Sequence, residues 1–326
     1  MRVPITLSLH LPNFNYPDVD ADEVFEKIVA IAATAEASGF SSVSVMDHLH
    51  QIAPVGPPAN WMFEGSTMLA GIAARTSKLT MGLLVGSVTY RNPALAAKTT
   101  TTLDVISGGR AWHGIGAGWF EAEHLAYGYA FPPLKTRFDL LEEELQIVRA
   151  MFTSDVARFE GSHFRVDGAM NNPKPLRGDI PILIGGSGER KTLRLVAKYG
   201  DGCNLFGDAD RVGHLLEVLE RHCAEVGRDP AEITKTSMGR VLIAPTTAAA
   251  EAKKATLRER GVPQDSIDSL ICGDPDTVGE AVLARRDAGI EGFTLSMPNV
   301  HDLEELALAG ATLSQVFPPV AAAVGA

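Results

Sequence analysis

Short apolar runs and amphipathic stretches alternate along this chain from one end to the other, and that alternation leaves few folds open to it. A strand that is apolar on both faces has no side to show to water. When a helix follows it, the chain crosses over to a parallel neighbour, and repeated units build a parallel sheet covered by helices. Apolar runs stand at residues 5–9, 42–46, 79–86, 110–115, 181–184, 203–206, 236–244 and 292–296. Residues 22–38 carry Val24, Ile28, Ile31 and Ala35 at spacings of three and four, the period of one helix face, and Gly39 suits the C-terminal cap. Met68, Leu69, Ile72 and Ala73 stripe a second helix, and Pro93 opens a third where its missing N–H costs nothing. Phe138, Leu141, Leu145, Val148 and Phe152 stripe a fourth. Residues 189–198 and a stretch ending near Val226 supply two more, with further helices between and after the last two strands.

Eight such units with no second alternating block predict an α/β fold, a (β/α)8 TIM barrel, over residues 1–326 as one domain. The rival doubly wound sheet has fewer strands and a phosphate loop directly after the first, whereas Leu9 is followed by His-Leu-Pro-Asn. One insertion interrupts the alternation at 154–178, with a hairpin-like piece at 157–166 and then Pro173 and Pro175. Long excursions of this kind are lids or binding loops.

With 45% hydrophobic and 21% charged residues the chain can bury a large core, which excludes disorder. A net charge of -11 repels phosphate backbones and anionic lipid, so neither nucleic acid nor membrane is expected as a partner. No signal peptide and no apolar run long enough to span a bilayer are visible, and the Ala-rich tail from Val320 is too short for one. The three cysteines, Cys203, Cys223 and Cys272, form no C-x-x-C pair and no zinc spacing, which predicts a cytoplasmic protein without a metal site.

In a barrel the chemistry sits where strands end and helices begin. Asp47-His48 follows the second strand, where an imidazole can donate or accept a proton near neutral pH; a solvated rim histidine is the plainer alternative. Gly116-Ala117-Gly118 follows the fourth strand and allows close approach of a ligand or simply a tight turn. Gly185-Gly186-Ser187-Gly188 stands between a strand and a helix start, which together make an anion site. Leu84-Val85-Gly86 ends the third strand and offers either a flat apolar wall or core packing. Asn13, after the first strand, offers its amide to the edge of a ring or to solvent. Glu121 and Glu123 lie in an aromatic loop, and Glu142 to Glu144 read as a solvated helix face. Neither Gly-x-Ser-x-Gly nor His-Glu-x-x-His occurs, and no nucleophilic lysine or metal cluster marks a strand end, which argues against a hydrolase or aldolase.

In combination and in this order, Asp47-His48, Val88-Thr-Tyr-Arg-Asn-Pro93, Thr102-Leu-Asp-Val-Ile-Ser-Gly-Gly-Arg110, Gly116-Ala-Gly-Trp-Phe-Glu-Ala-Glu123, Arg137-Phe-Asp-Leu-Leu-Glu142 and Pro181-Ile-Leu-Ile-Gly-Gly-Ser-Gly-Glu-Arg190 resemble the bacterial-luciferase-like oxidoreductases. The resemblance runs from residue 3 to about residue 297 and is greatest to the branch that uses the deazaflavin coenzyme F420; other branches use FMN, or reduced flavin with oxygen. It implies hydride transfer between the deazaflavin and a small organic substrate. His48, with Asp47 beside it, would lie against the reactive ring as proton donor or anion stabiliser. A bulge with a non-proline cis peptide at Leu84–Val85 would back the ring. Gly116 to Gly118 and Gly186 to Gly188 would hold the cofactor phosphate, the insertion would be a mobile loop over the site, and the protein would be a homodimer. In relatives that oxidise a sugar phosphate, a tryptophan and a glutamate stand at about the places of Ile52 and Trp119, which argues against that substrate and for a more apolar pocket. An FMN-dependent monooxygenase and a flavin- or deazaflavin-binding protein without turnover are the alternatives.

Overall fold

A computed structural model of the chain describes residues 1–319; the tail from Val320 lies outside the described residues. Eight parallel strands follow one another around a barrel: β1 (Leu7–Leu11), β2 (Ser42–Val45), β3 (Thr80–Leu83), β4 (His113–Gly116), β5 (Ile182–Gly185), β6 (Gly202–Phe206), β7 (Thr234–Ile243) and β8 (Gly292–Ser296). Hydrogen-bonded pairing runs from β4 through β5 to β8 and on through β1 and β2 to β3. The remaining seam, between β3 and β4, is thin. A single parallel bridge joins Met81 to Ala111, and above it a two-residue strand, Gly86–Ser87, pairs with Ile115 and Gly116. The helices Val24–Ala37, Gly65–Arg75, Pro93–Ser107, Leu134–Thr153, Thr192–Tyr199, Ala209–Val226, Pro275–Asp287 and Leu303–Val316 form the outer layer. The barrel expected from the alternation is therefore the fold.

The period-two alternation of a strand sorts side chains between two interiors. Leu7, Leu9, Leu11, Val43, Val45, Ile182 and Ile184 join the large cluster between sheet and helices. The other face lines the barrel: His10 bonds Ser44 at 2.9 Å, and the Trp112 indole donates to Ser42. Trp112 and Leu183 there pack with Val3 and Ile5 and with half-buried Leu84 and Val85. Val3 and Ile5 close the lower end, with Val3 against Gly202 and the Ile5 carbonyl against Gly292. The first strand accordingly begins at Leu7, two residues later than its apolar run, and His10 and Leu11 belong to the strand rather than to the loop after it.

Two excursions leave the barrel. Residues 154–178 form the expected hairpin, Ala157–Glu160 paired with Arg165–Ala169. The expectation that it roofs the site is corrected: it lies on the outer helices. Glu143 accepts the N–H groups of Ser162, His163 and Phe164, Asn171 donates to Thr101, and the Leu176 N–H donates to Asp104. Length and proline content mark an excursion but not the side on which it packs. The second excursion went unseen in the sequence. β7 runs ten residues, and its last four, from Arg240, pair with the strand Leu270–Gly273 above the barrel. The helices Thr247–Glu259 and Gln264–Asp268 cover it with a small apolar cluster of their own around Leu242, Leu257 and Ile267.

At the opposite end, Arg110 gathers the chain where β4 begins. Its guanidinium donates to the carbonyls of Leu79 at 2.7 Å, Ala73 at 2.8 Å, Thr76 at 2.9 Å and Ser107 at 2.6 Å. Charge-assisted bonds of this kind contribute about 1.5–3 kcal/mol each before desolvation is subtracted. Arg110→Ala is expected to lower unfolding stability by about 2–4 kcal/mol in a urea titration. Because chemistry lies at the other end of such a barrel, ligand binding at the mouth should survive, and a variant of unchanged stability would refute the role.

Candidate active site

β2 delivers Asp47 and His48 to the mouth with different employment. The Asp47 carboxylate is buried and takes a two-pronged bond from Arg91, at 2.7 and 2.9 Å, and the Ser87 N–H at 3.1 Å. Arg91 also reaches Glu64 at 2.5 Å, and Glu64 caps the helix Gly65–Arg75 through the Thr67 N–H. Burial works against the Arg91 charge, but the two carboxylates outweigh it and hold the guanidinium protonated. Asp47 is thus a strut between β2 and the turn after β3, accepting three hydrogen bonds.

His48 is held from behind by a residue that the sequence had marked only as a loop acid. Its Nδ1 lies 3.0 Å from Oε2 of Glu123, a fully buried carboxylate that also accepts the Tyr90 hydroxyl, the Leu49 N–H and, at 2.6 Å, the His50 N–H. Burial alone would raise the pKa of Glu123; these bonds outweigh it and bring the group down to about 2. A carboxylate has no proton to give, so His48 Nδ1 is the donor. The remaining nitrogen, Nε2, has no protein partner among the described residues and is not sealed from the surface. The ring is fixed edge-on by Trp119 at 5.6 Å and Phe120 at 5.8 Å, which stack on each other. A histidine so held presents Nε2 outward as acceptor when neutral and donor when charged. Below it His10 sits inside the barrel, kept neutral down to about 3 by burial and by the neighbouring His48.

Glu123 was missed because only the short helix Glu121–Tyr127, unexpected in that loop, turns it inward. Tyr90 stood unremarked inside the Val88–Pro93 motif; burial first, then the adjoining Glu123, pushes its hydroxyl pKa up.

Beyond β3 the peptide between Leu84 and Val85 is cis. Val85 lies across two neighbouring strands: a Cβ on Gly185 would stand 2.7 Å from its Cγ2, and one on Gly116 3.0 Å away. These two glycines therefore have a packing reason, the room that Val85 needs. Ala117 packs against the main core. Gly118 adopts a positive φ of 73°, and a Cβ there would meet Ser87 Oγ at 2.5 Å.

The turn after β5 differs. Gly186 has φ +114°, a Cβ there would lie 3.5 Å from Thr192 Cγ2, and the Ser187 hydroxyl accepts the Phe206 N–H at 3.0 Å. The helix starts at Thr192 rather than at 189 and has no side-chain cap. The N–H groups of Ser187, Gly188, Glu189 and Arg190 have no protein acceptor among the described residues. Unpaired N–H groups before a helix, with Arg190 and Arg194 close in sequence, make a cradle for an anion.

Asp47, His48, Leu84, Val85, Gly116, Gly118 and the turn Gly185–Gly188 thus belong to one connected mouth, joined through Ser87 and Val85. The Asn13 side chain accepts the Asn15 N–H at 3.2 Å and donates to the Asn15 carbonyl at 3.1 Å, closing its own loop. No group of three or more His, Cys, Asp or Glu residues is placed to hold a metal ion among the described residues.

The chain is 26% identical over 304 residues to the F420-dependent glucose-6-phosphate dehydrogenase of Segniliparus rotundus, covering 85% of this chain and 89% of the relative. Its fold superposes on an F420-dependent secondary alcohol dehydrogenase bound to an F420–acetone adduct with a TM-score of 0.79 and 21% identity, over 97% of this chain and 99% of the other. It superposes on the EDTA monooxygenase of Chelativorans sp. BNC1 with a TM-score of 0.82 and 17% identity, over 97% and 95%. The model of the luciferase-like monooxygenase family matches residues 5–262, and the chain belongs to that family.

Proposed function

We propose that the chain is an F420-dependent oxidoreductase acting on a small organic substrate with an apolar face. The observation that carries this reading is the presence of three parts at the strand ends: Nε2 of His48 without a protein partner, the apolar pair Leu84 and Val85, and the unpaired N–H groups at Ser187–Arg190. They fit a flat ring with a phosphate tail. The wall is apolar and faces the interior cluster, and the cradle leaves four N–H groups for the phosphate. The F420-dependent relatives support deazaflavin over FMN. When bound, deazaflavin supplies hydride transfer at its ring; the protein supplies orientation and electrostatics.

In this scheme Ser187 to Arg190 hold the phosphate and Leu84 and Val85 back the ring. Glu123 fixes the tautomer of His48, whose Nε2 exchanges a proton with the substrate oxygen. Trp119 is 59% exposed at the mouth beside Phe120 and gives the substrate an aromatic surface, where the sugar-phosphate oxidising relatives would carry an acid. A substrate of ketone or alcohol type with an apolar body suits that surface better than a sugar phosphate does.

We place this work in a cytoplasmic homodimer. The three cysteines are free, and no described helix is long and apolar enough to cross a membrane. Val105 and Ile106 are exposed at the end of the helix Pro93–Ser107, with Leu176 exposed beside them, an apolar patch that a second copy would cover. Ile106→Glu should convert the dimer to monomer in size-exclusion chromatography with light scattering; a wild-type monomer would end the proposal.

Fluorescence titration of the purified protein with oxidised F420, and separately with FMN, tests the cofactor. Micromolar or tighter F420 binding with FMN much weaker is expected. The reverse preference would assign the chain to the FMN monooxygenases, and binding of neither would reject the site.

His48→Ala should lower turnover about a hundredfold or more, the usual worth of a positioned proton-transfer group, while F420 affinity is mostly kept. Glu123→Gln should lower turnover in the same direction by releasing the His48 tautomer. The pKa of Glu123 is depressed in the folded protein, so its contribution to stability is present above the ordinary carboxylate range and disappears as pH falls towards about 2. The stability gap between wild type and Glu123→Gln should close over that interval in acid titrations followed by circular dichroism. A gap that is constant with pH would contradict the assignment.

A further inference from the structure

A small, partly open cavity of about 30 Å3 lies behind the thin β3–β4 seam, between the sheet and the helices Gly65–Arg75, Pro93–Ser107 and Leu134–Thr153. That is room for roughly one or two water molecules. Its wall is mostly apolar, as a barrel's outer core ordinarily is, but Ser66, Ser87, Arg91, Thr100, His113 and Glu144 bring polar groups to it. Two of these carry buried atoms with no hydrogen-bond partner among the described residues, His113 Nε2 and Glu144 Oε2, and their residues are 5% and 1% exposed. Glu144 was expected on a solvated helix face. The stripe of Leu141, Leu145 and Val148 turns that face inward instead, and the acid goes with it.

Hydrogen-bond polarity fixes what is missing. The Thr100 hydroxyl donates to the Ala96 carbonyl at 3.0 Å, so towards His113 Nδ1, 2.9 Å away, it accepts. Nδ1 therefore carries the proton, and Nε2 is a bare acceptor in need of a donor. Burial, aided by Arg149 and Arg91, keeps His113 neutral down to about 4, so Nε2 does not protonate to solve the problem itself. Glu144 has no ion-pair partner either, because the Arg91 donors go to Asp47 and Glu64. An unpaired buried carboxylate is expensive. Burial pushes the carboxyl well above its usual range, with Arg91 opposing and Asp47 reinforcing, and the group keeps its proton. A neutral acid has a donor to offer.

We propose that the cavity is a built water site in which Glu144 donates to a water that in turn donates to His113 Nε2, making Glu144 a positioning residue for the Arg91–Asp47 strut. The donor chain then runs in one direction, from Glu144 through water to His113, from His113 to Thr100 and from Thr100 to the Ala96 carbonyl. Its further consequence is electrostatic. With Glu144 uncharged, Arg91 answers two carboxylates instead of three and stays aligned on Asp47, and the turn carrying Ser87 is held beneath the mouth.

The test needs no substrate. Infrared spectra of wild type minus Glu144→Gln at neutral pH should contain a protonated-carboxyl C=O band that shifts in D2O; the difference removes other buried acids such as Glu305, which is likewise raised by burial. A missing band means that Glu144 is ionised and overturns the proposal. A high-resolution crystal structure should place an ordered water within hydrogen-bonding distance of both Glu144 and His113 Nε2, and an empty cavity overturns it equally. With F420 as the probe, Glu144→Gln, which retains a donor, should bind within about twofold of wild type, and Glu144→Leu about tenfold more weakly, the effect of one buried acceptor left unpaired. Equal weakening by both variants would refute the positioning role. Should Glu144→Leu fail to fold, or F420 fail to bind the wild type, the infrared band and the water still decide.

Discussion

Asp47 and Arg91 brace the barrel beside the one seam where its backbone pairing is thin. Elsewhere neighbouring strands share ladders of several residues, but β3 and β4 touch through the single bridge from Met81 to Ala111 and then through two residues past the cis bond. Asp47, at the end of β2, reaches across β3 to accept the Ser87 N–H, and Arg91 clamps the same carboxylate from the far side of the turn. Removing one partner of a buried pair such as this leaves an uncompensated charge and costs about 3–5 kcal/mol. The thin seam is what lets Leu84 and Val85 leave the regular ladder and present a surface to the mouth, so the strut makes the wall possible.

The site above the strut is an arrangement of charges, each with a stated partner. Asp47 is answered by Arg91. Glu123 is answered by two backbone N–H groups, a tyrosine hydroxyl and His48. His10 below is kept neutral by burial and is paired with Ser44. The open functional groups are His48 Nε2 on one side and the N–H groups of Ser187 to Arg190 on the other. This preorganisation matters because groups already aligned need no rearrangement when charge develops.

Most of the fold was legible because period-two and period-3.6 patterns report burial directly. Leu7, Leu9 and Leu11 carry the first signal, and the stripe of Leu141, Leu145 and Val148 the second. The register of β1 was misplaced by two residues because Val3 and Ile5 are just as apolar; they plug the barrel's end instead of extending its strand. The overhang after β7 was hidden because its strand, Leu270–Gly273, is half-exposed and pairs along one edge only. Asp47, His48 and the turn at Gly186 could be named from their place after strands. Their partners could not: Glu123 is 75 residues from His48 in sequence, and nothing local distinguishes it from Glu121. An amide two residues before a backbone N–H closes its own turn as readily as it meets a ligand, and at Asn13 the turn is made.

Glu144 shows most sharply what a sequence withholds. Three successive glutamates on a helix look like one solvated face, yet successive residues on a helix point about 100° apart. Glu142 meets Lys198, Glu143 holds the hairpin through three N–H groups, and Glu144 turns into the core. The three acids have three environments, and only the buried one lies behind the seam on which the active-site wall rests. A barrel with a fully laddered β3–β4 seam would have no cavity there and no use for a buried acid. The cavity, the short strand Gly86–Ser87 and the displaced Leu84–Val85 are therefore one feature, a local opening of the sheet that gives the mouth its wall and leaves behind it a space that His113 and Glu144 face.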